Sequence, residues 1–397
     1  DEPFMRSFRR QHFLKVKAGF GRTGNTPNEN YAWRGTFTPP QNSYGYNGQP
    51  SIFPTRLANP DLRWETSDVF DFTVEGGLWK NRLTWEISYY NKKTSGVILD
   101  LAVPRSLGFS SYYDNVGAIR NTGVELSINT RNIVKKVFSW STNFNIARNY
   151  NEILDIGVYT QDAVSGGTND TRVVVGQPVG TNYLVRFVRV DEATGRPVYL
   201  DNNGNETYTW SNDYRVAVGS VLPDAVGGLT NTFTYKSWNL KFLMVYKIGG
   251  NIYNSSAKRQ NGVVTDWNMT TDYFDRWQQP GDQAKYPKLS RETSAYGLPP
   301  DPYQNNTTLF LEDGSYLRLR NVSLGYRLPS RWFGDKIQSC RLVFTAVNIL
   351  TFTNFTGGDP EIARDFENPA DRNMSSNITY LTAPQEKSYN LTLNLTF

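Results

Sequence analysis

The chain has 397 residues, enough for a large core or several domains, and 14% of them are aromatic. A single cysteine, Cys340, and a single histidine, His12, argue against a disulfide framework, a zinc-finger spacing, a His-ligated metal or haem centre and a Ser-His-Asp triad. The net charge of +5 is spread along the chain; Lys92-Lys93, Lys135-Lys136 and Arg9-Arg10 read as turn-flanking and strand-end charges, not as a nucleic-acid patch.

Mean hydropathy is −0.54, and no run of about 18 apolar residues exists, so no segment can cross a bilayer as a helix. A membrane barrel is untouched by this, because only alternate strand residues face lipid. The 10 Trp and 24 Tyr favour places where one end is apolar and the other wet. No secretory apolar core follows Asp1, so the chain is expected to be a trimmed form or a piece of a longer protein, and the strand count below favours a piece.

Taken in order, ten segments alternate with a period of two: Phe13–Arg22, Thr66–Trp79, Arg82–Lys93, Asn121–Arg131, Val137–Arg148, Val226–Tyr235, Trp238–Ile248, Tyr316–Leu328, Cys340–Thr351 and Lys387–Phe397. Leu83, Trp85, Ile87 and Tyr89 alternate with Thr84, Glu86 and Ser88. Trp238, Leu240, Phe242, Met244, Tyr246 and Ile248 form a second clean apolar face. The last segment ends on Phe397, after Leu391, Leu393 and Leu395; a closing strand with a terminal aromatic resembles the assembly signal of bacterial outer-membrane barrels. Lengths of about 9 to 11 residues suit a tilted membrane-spanning strand better than a globular one.

The connections alternate between short and long. The short ones are 80–81, 132–136, 236–237 and 329–339; the long ones are 23–65, 94–120, 149–225, 249–315 and 352–386. An outer-membrane barrel places short turns in the periplasm and long loops outside. An all-β, antiparallel transmembrane barrel follows, and ten strands are too few for loops so elaborate. The expected reading is the C-terminal part of a larger barrel over residues 1–397, with the remaining strands elsewhere.

Three loop motifs have both a functional and a plainer reading. Trp267, Tyr273 and Trp277, with Phe274 beside them, offer faces for a sugar or peptide ligand; self-packing of the loop or contact with a partner protein is the plainer reading. Asp201, Asn203 and Asn205 start like a calcium loop of EF-hand type, but Glu206 stands where that motif needs Gly and Asn212 where it needs Glu. The plainer reading is an Asn-Gly turn with no metal. Asp359 and Glu361 in GGDPE read as a turn at the rim, because nothing fixes their separation for hydrolysis. No acid–base or nucleophile constellation marks an enzyme.

The segments NPDLRWE (59–65), NRLTWEISYYNKK (81–93) and NVGAIRNTGVELSIN (115–129) resemble SusC/RagA-type TonB-dependent outer-membrane transporters. So do VGQPVG (175–180), ATGRPVYLD (193–201), GGLTNTFTY (227–235), FLEDGSYLRLRNVSLGYRLP (310–329) and NILTFTNFTGGDPE (348–361). The resemblance runs in family order over nearly the whole chain. It implies a 22-stranded barrel of which this chain supplies about ten strands, with a plug domain inside it and a SusD-like lipoprotein as lid. It also implies energy from TonB-ExbB-ExbD through the plug region, which lies outside these residues, and a dimer of transporter–lipoprotein pairs. The implied cargo is an oligosaccharide or oligopeptide and the implied surroundings are outer-membrane lipid. Two alternatives stand beside importer function: a surface barrel that acts mainly in protein interaction or adhesion, and a soluble β-sandwich or glycan-binding module.

Overall fold

The computed structural model describes residues 13–27, 30–38, 45–46, 49–50, 52–103, 105–109, 111–164, 171–262, 268–288, 306–333, 337–361, 378–379 and 382–397. Ten long strands make one wall: β1 (Phe13–Asn25), β2 (Glu65–Leu78), β3 (Leu83–Ala102), β4 (Ser111–Val134), β5 (Phe138–Asp155), β6 (Ala225–Tyr235), β7 (Trp238–Ile248), β8 (Tyr316–Arg327), β9 (Ser339–Thr353) and β10 (Ser388–Thr396). They lie side by side in chain order, each antiparallel to its neighbours. All ten expected segments are strands. They form a single sequential sheet, not the two facing sheets of a sandwich.

The sequence alternation fixes the register, because a slip of one residue would turn every side chain to the other face. Phe72 pairs with Tyr89, Val74 with Ile87 and Leu78 with Leu83. The row continues through Ile87 opposite Leu126 and Trp85 opposite Ile128. At the far side Leu342 faces Leu393 and Phe344 faces Leu391. These apolar side chains are not covered: Leu391 is 70% exposed. A continuous exposed apolar face of this extent is suited to lipid rather than water.

The band has a measurable height. On β2 the apolar run extends from Phe70 to Leu78, about 26 Å along the strand at about 3.3 Å per residue. A strand tilt near 40° projects that to about 20 Å, most of the ~25 Å apolar band of an outer-membrane barrel. Next along the same face, Arg22 pairs with Asp68 at 2.5 and 2.8 Å, so charge resumes where the band ends. At the opposite end an aromatic row crosses the strands. Trp140 stacks on Phe233 at 5.5 Å, Phe233 on Phe242 at 6.1 Å, and Trp238 lies 4.4 Å from Tyr326, which is a girdle at interface depth.

Three strands are much longer than their alternation suggests: β3 has 20 residues, β4 24 and β5 18. The connection expected over 94–120 shrinks to 103–110. Gly96 (φ 64°) and Gly117 (φ 57°) explain the difference. Pairing passes from Ser95–Ala118 to Val97–Val116 across them, so two left-handed glycines form bulges within one continuous hairpin. A Cβ on Gly117 would collide with the Asp155 carbonyl. The hairpin therefore continues past the apolar band into the loop region.

The long connections are not loose. Leu184, Tyr253, Tyr286 and Phe310 form a buried core drawn from the 156–224 and 249–315 connections, with Val218 and Leu309 against it. A second core of Leu101, Val116 and Val164 sits under the long hairpin. Among the described residues β1 pairs only with β2 and β10 only with β9, so each side of the sheet has an unpaired edge.

Candidate transport surface

The face opposite the apolar one is built from amides, hydroxyls and a few charges. Alternation places Ser141, Thr232, Lys241, Ser323, Thr345 and Asn390 in one row across six strands. Asn143 donates to Asn129 at 2.5 Å, and Lys17 reaches Glu75. A groove of about 280 Å³ runs over this face, lined by Thr84, Asn129, Asn143, Thr230 and Thr232 among others. Further toward the loops Tyr90 donates to Asn149 at 2.8 Å, and Asn149 and Asn151 both donate to Asn121, at 3.1 and 2.9 Å. Such a wall offers many weak hydrogen-bonding positions, which suits passage of a polar solute.

Two clamps fasten the loops to this wall. In the first, Asn59 donates to the Tyr113 carbonyl (2.9 Å) and to Asp114 (3.0 Å). Asn115 accepts from the Arg63 amide at 2.7 Å and donates to the carbonyls of Arg63 and Gly96 at 2.8 and 2.9 Å. Tyr159 donates to Asp114 and bonds Tyr112; burial first, and then the Asp114 carboxylate, push its hydroxyl up. Two stretches about 50 residues apart are thereby locked together.

In the second clamp Arg318, 1% exposed, pairs with Asp359 and, at 2.8 Å, with Glu361. Arg320 pairs with Glu361 and donates to Asn348 at 3.2 Å. Asp359 also accepts from the amides of Glu361 (2.9 Å) and Gln385 (3.1 Å). Glu312 accepts from the Thr356 amide at 2.7 Å and from Asn254 at 2.9 Å. GGDPE is a turn, as the sequence indicates. The alternation could not reveal that its two carboxylates neutralise the buried Arg318 and the half-buried Arg320 of β8, because the pairing spans about 40 residues.

The residues singled out in the sequence fall in three places. Trp267 lies outside the described residues, and of Tyr273 only the backbone is described, in the short 3₁₀ turn Thr271–Phe274. Trp277 is 6% exposed; its Nε1 donates to the Glu192 carbonyl at 2.8 Å, its ring covers Gly195, and Lys288 lies 5.7 Å from the ring centre. That is packing within the loops. Asp201 accepts from the amides of Asn203 and Asn205, both at 2.8 Å, with Gly204 at φ 83°. The Asn205 amide holds its carboxyl below the usual range. Asn203 and Asn205 thus contribute backbone donors to an Asx turn, and among the described residues no group of three His, Cys, Asp or Glu gathers for a metal. Phe397 is exposed on the last residue, just beyond β10.

A sequential antiparallel sheet with a lipid-facing side, a polar side and loops clamped at one end defines an outer-membrane β-barrel wall. The chain belongs to the TonB dependent receptor-like β-barrel family, whose model matches residues 10–349. It is 29% identical to TonB-dependent receptor P26 of Formosa agariphila, covering 100% of this chain and 41% of that protein. It is 26% identical to the TonB-dependent receptor SusC of Bacteroides thetaiotaomicron, over 94% of this chain and 38% of that protein. Among solved structures it is similar to the RagAB peptide transporter, with TM-score 0.81, 26% identity, and 97% of this chain and 41% of that chain covered. The chain thus spans about 40% of the length of these relatives, and its setting is the bacterial outer membrane.

Proposed function

We propose that this chain is a section of the wall of an energised outer-membrane importer, which takes up oligosaccharides or oligopeptides together with a SusD-like surface lipoprotein. The observation that carries the reading is the division of one sheet into an apolar lipid face and a polar inner face, capped at one end by loops clamped to the wall. In this proposal the ten strands are the C-terminal part of a 22-stranded barrel, whose other strands take up the two unpaired edges. A plug in that remainder passes force from TonB-ExbB-ExbD, and the assembly is a dimer of transporter–lipoprotein pairs. No metal takes part, and the chain has no catalytic role of its own.

Uptake of labelled oligomers by cells tests this. Cells carrying the full-length protein take up a labelled oligosaccharide or a labelled oligopeptide, and a protonophore stops it. Deletion of the gene abolishes that uptake. Uptake of both classes unchanged by deletion would favour the alternative of a surface barrel for protein interaction.

A further inference from the structure

Charges on the polar face are handled differently at its two ends. Strands β6 to β10 contain no Asp or Glu. Toward the loops their cations find carboxylates in the connections: Arg318 and Arg320 pair with Asp359 and Glu361, and Lys247 is drawn to Asp313 and Glu361. Toward the short turns Lys241, Arg327 and Arg341 have no carboxylate partner among the described residues. Asp335, in the connection between β8 and β9, lies outside the described residues.

Register brings the three cations together. Arg327 on β8 is the direct partner of Arg341 on β9, two places along from the Gly325–Val343 pair and on the same face as Ser323 and Thr345. Lys241 on β7 is the partner of Ser323. All three are exposed. Like charges directly opposite each other destabilise an antiparallel pair, so the arrangement favours an anion between them. Arg341 is also held in place. Its guanidinium lies across Gly325, where an added Cβ would come within 2.7 Å of it, and it donates to Asn239 Oδ1 at 3.5 Å. Asn239 is oriented in turn by its donation to Thr234 at 3.1 Å. Most of the guanidinium donors are left for an oxyanion.

The patch continues into a track across the wall. Thr232 on β6 is the partner of Lys241 and lines the groove of about 280 Å³, whose other end holds Arg131. There the pattern recurs. The Arg131 amide donates to the Arg82 carbonyl at 2.7 Å, which sets two more arginines opposite each other, and neither has a carboxylate partner among the described residues. No described Asp or Glu lines the groove. Beyond it Lys15 and Lys17 share Glu75, which bounds the track on that side. Two opposed arginine pairs joined by hydroxyls and amides suit a solute with several negative groups better than a neutral one.

We propose that Arg327 and Arg341, with Lys241, bind a carboxylate of the solute as it passes along the wall, so that the preferred cargo is an acidic oligomer. The proposal rests on the importer reading and names the chemistry of its cargo. A guanidinium presents paired donors that match the two oxygens of a carboxylate, and Lys241 adds a point charge.

Uptake by cells carrying the full-length protein tests it, compared at equal amounts of folded barrel. The labelled solutes are oligogalacturonate against its methyl ester, and oligoglutamate against oligoglutamine. The wild type is expected to take up the acidic member of one pair at least about fivefold faster than the neutral one, and the pair that shows this tells a sugar carboxylate from a peptide one. Arg327→Gln/Arg341→Gln is expected to lose that preference, and Arg189→Gln, in a loop at the other end, to keep it. Gly325→Ala retains every charge and displaces Arg341, so it is expected to reduce the preference at least about twofold. No preference in either pair, or an undiminished one in the double variant, overturns the proposal. So does equal slowing of the acidic and neutral members in the double variant, which would mean that the arginines hold another part of the protein and not the solute. Uptake without preference sinks this inference alone; uptake of none of the four solutes sinks the importer reading with it.

Discussion

Single side chains in this protein act mostly as fasteners. Arg318 is buried beside two carboxylates, and removing one partner of a buried ion pair typically costs about 3–5 kcal/mol, because the other charge is left uncompensated. Asp359→Ala should therefore release the 354–387 connection, seen as faster protease cleavage there in intact membranes. Replacing both partners, as Arg318→Met/Asp359→Leu, should recover much of the loss. Asp191 offers a pH test. The Tyr208 hydroxyl, and after it the Thr194 amide, bring its carboxyl from 3.8 to about 2. A carboxyl lowered on folding stabilises the fold above its unfolded value, and that contribution fades as pH falls through the folded one. The small contribution of this exposed pairing to the 187–207 hairpin should fade between about pH 4 and pH 2. Carboxyl NMR titration of Tyr208→Phe should show the Asp191 midpoint moved up toward its ordinary value. Neither pairing is visible in the sequence, where Asp359 reads only as part of a turn and Asp191 is one of many loop acids. Trp277 shows the same limit: its aromatic signal is plain, but the glycine it covers, Gly195, is about 80 residues away in the chain.

At the scale of the strands, a period of two was enough to find all ten, because each has one face against lipid and one against a polar interior. The lengths of β3, β4 and β5 were not legible. Residues 94–120 read as a long loop between two alternating segments, whereas Gly96 and Gly117 are bends in an unbroken hairpin. The two glycines are not equivalent. A Cβ on Gly96 meets nothing nearer than Asn115 at 3.6 Å, while at Gly117 it meets backbone. Gly96→Ala should cost only about 1–2 kcal/mol for its left-handed conformation. Gly117→Ala adds a backbone collision and should lower the yield of heat-modifiable, folded barrel on unheated gels several-fold. Comparable yields from the two variants would show that the bend tolerates a side chain.

For the whole molecule, the two free edges are the decisive feature. Exposed edges of long strands invite pairing with other chains, so the outward amides of β1 and β10 are expected to exchange hydrogen rapidly in the isolated 397-residue chain. In the longer protein proposed above they should be protected to the level of β5–β7. Equal exchange in both would mean that these edges are not joined to further strands. The loop core has a different consequence, for the order of assembly. Its residues come from two connections, one between β5 and β6 and the other between β7 and β8, and Val185 bridges Thr307 directly. Neither connection can complete that core alone, so the outer cap closes only once four neighbouring strands are already in register. A protein with one hairpin misaligned is expected to leave those apolar residues in water, so closure of the cap reports correct strand register.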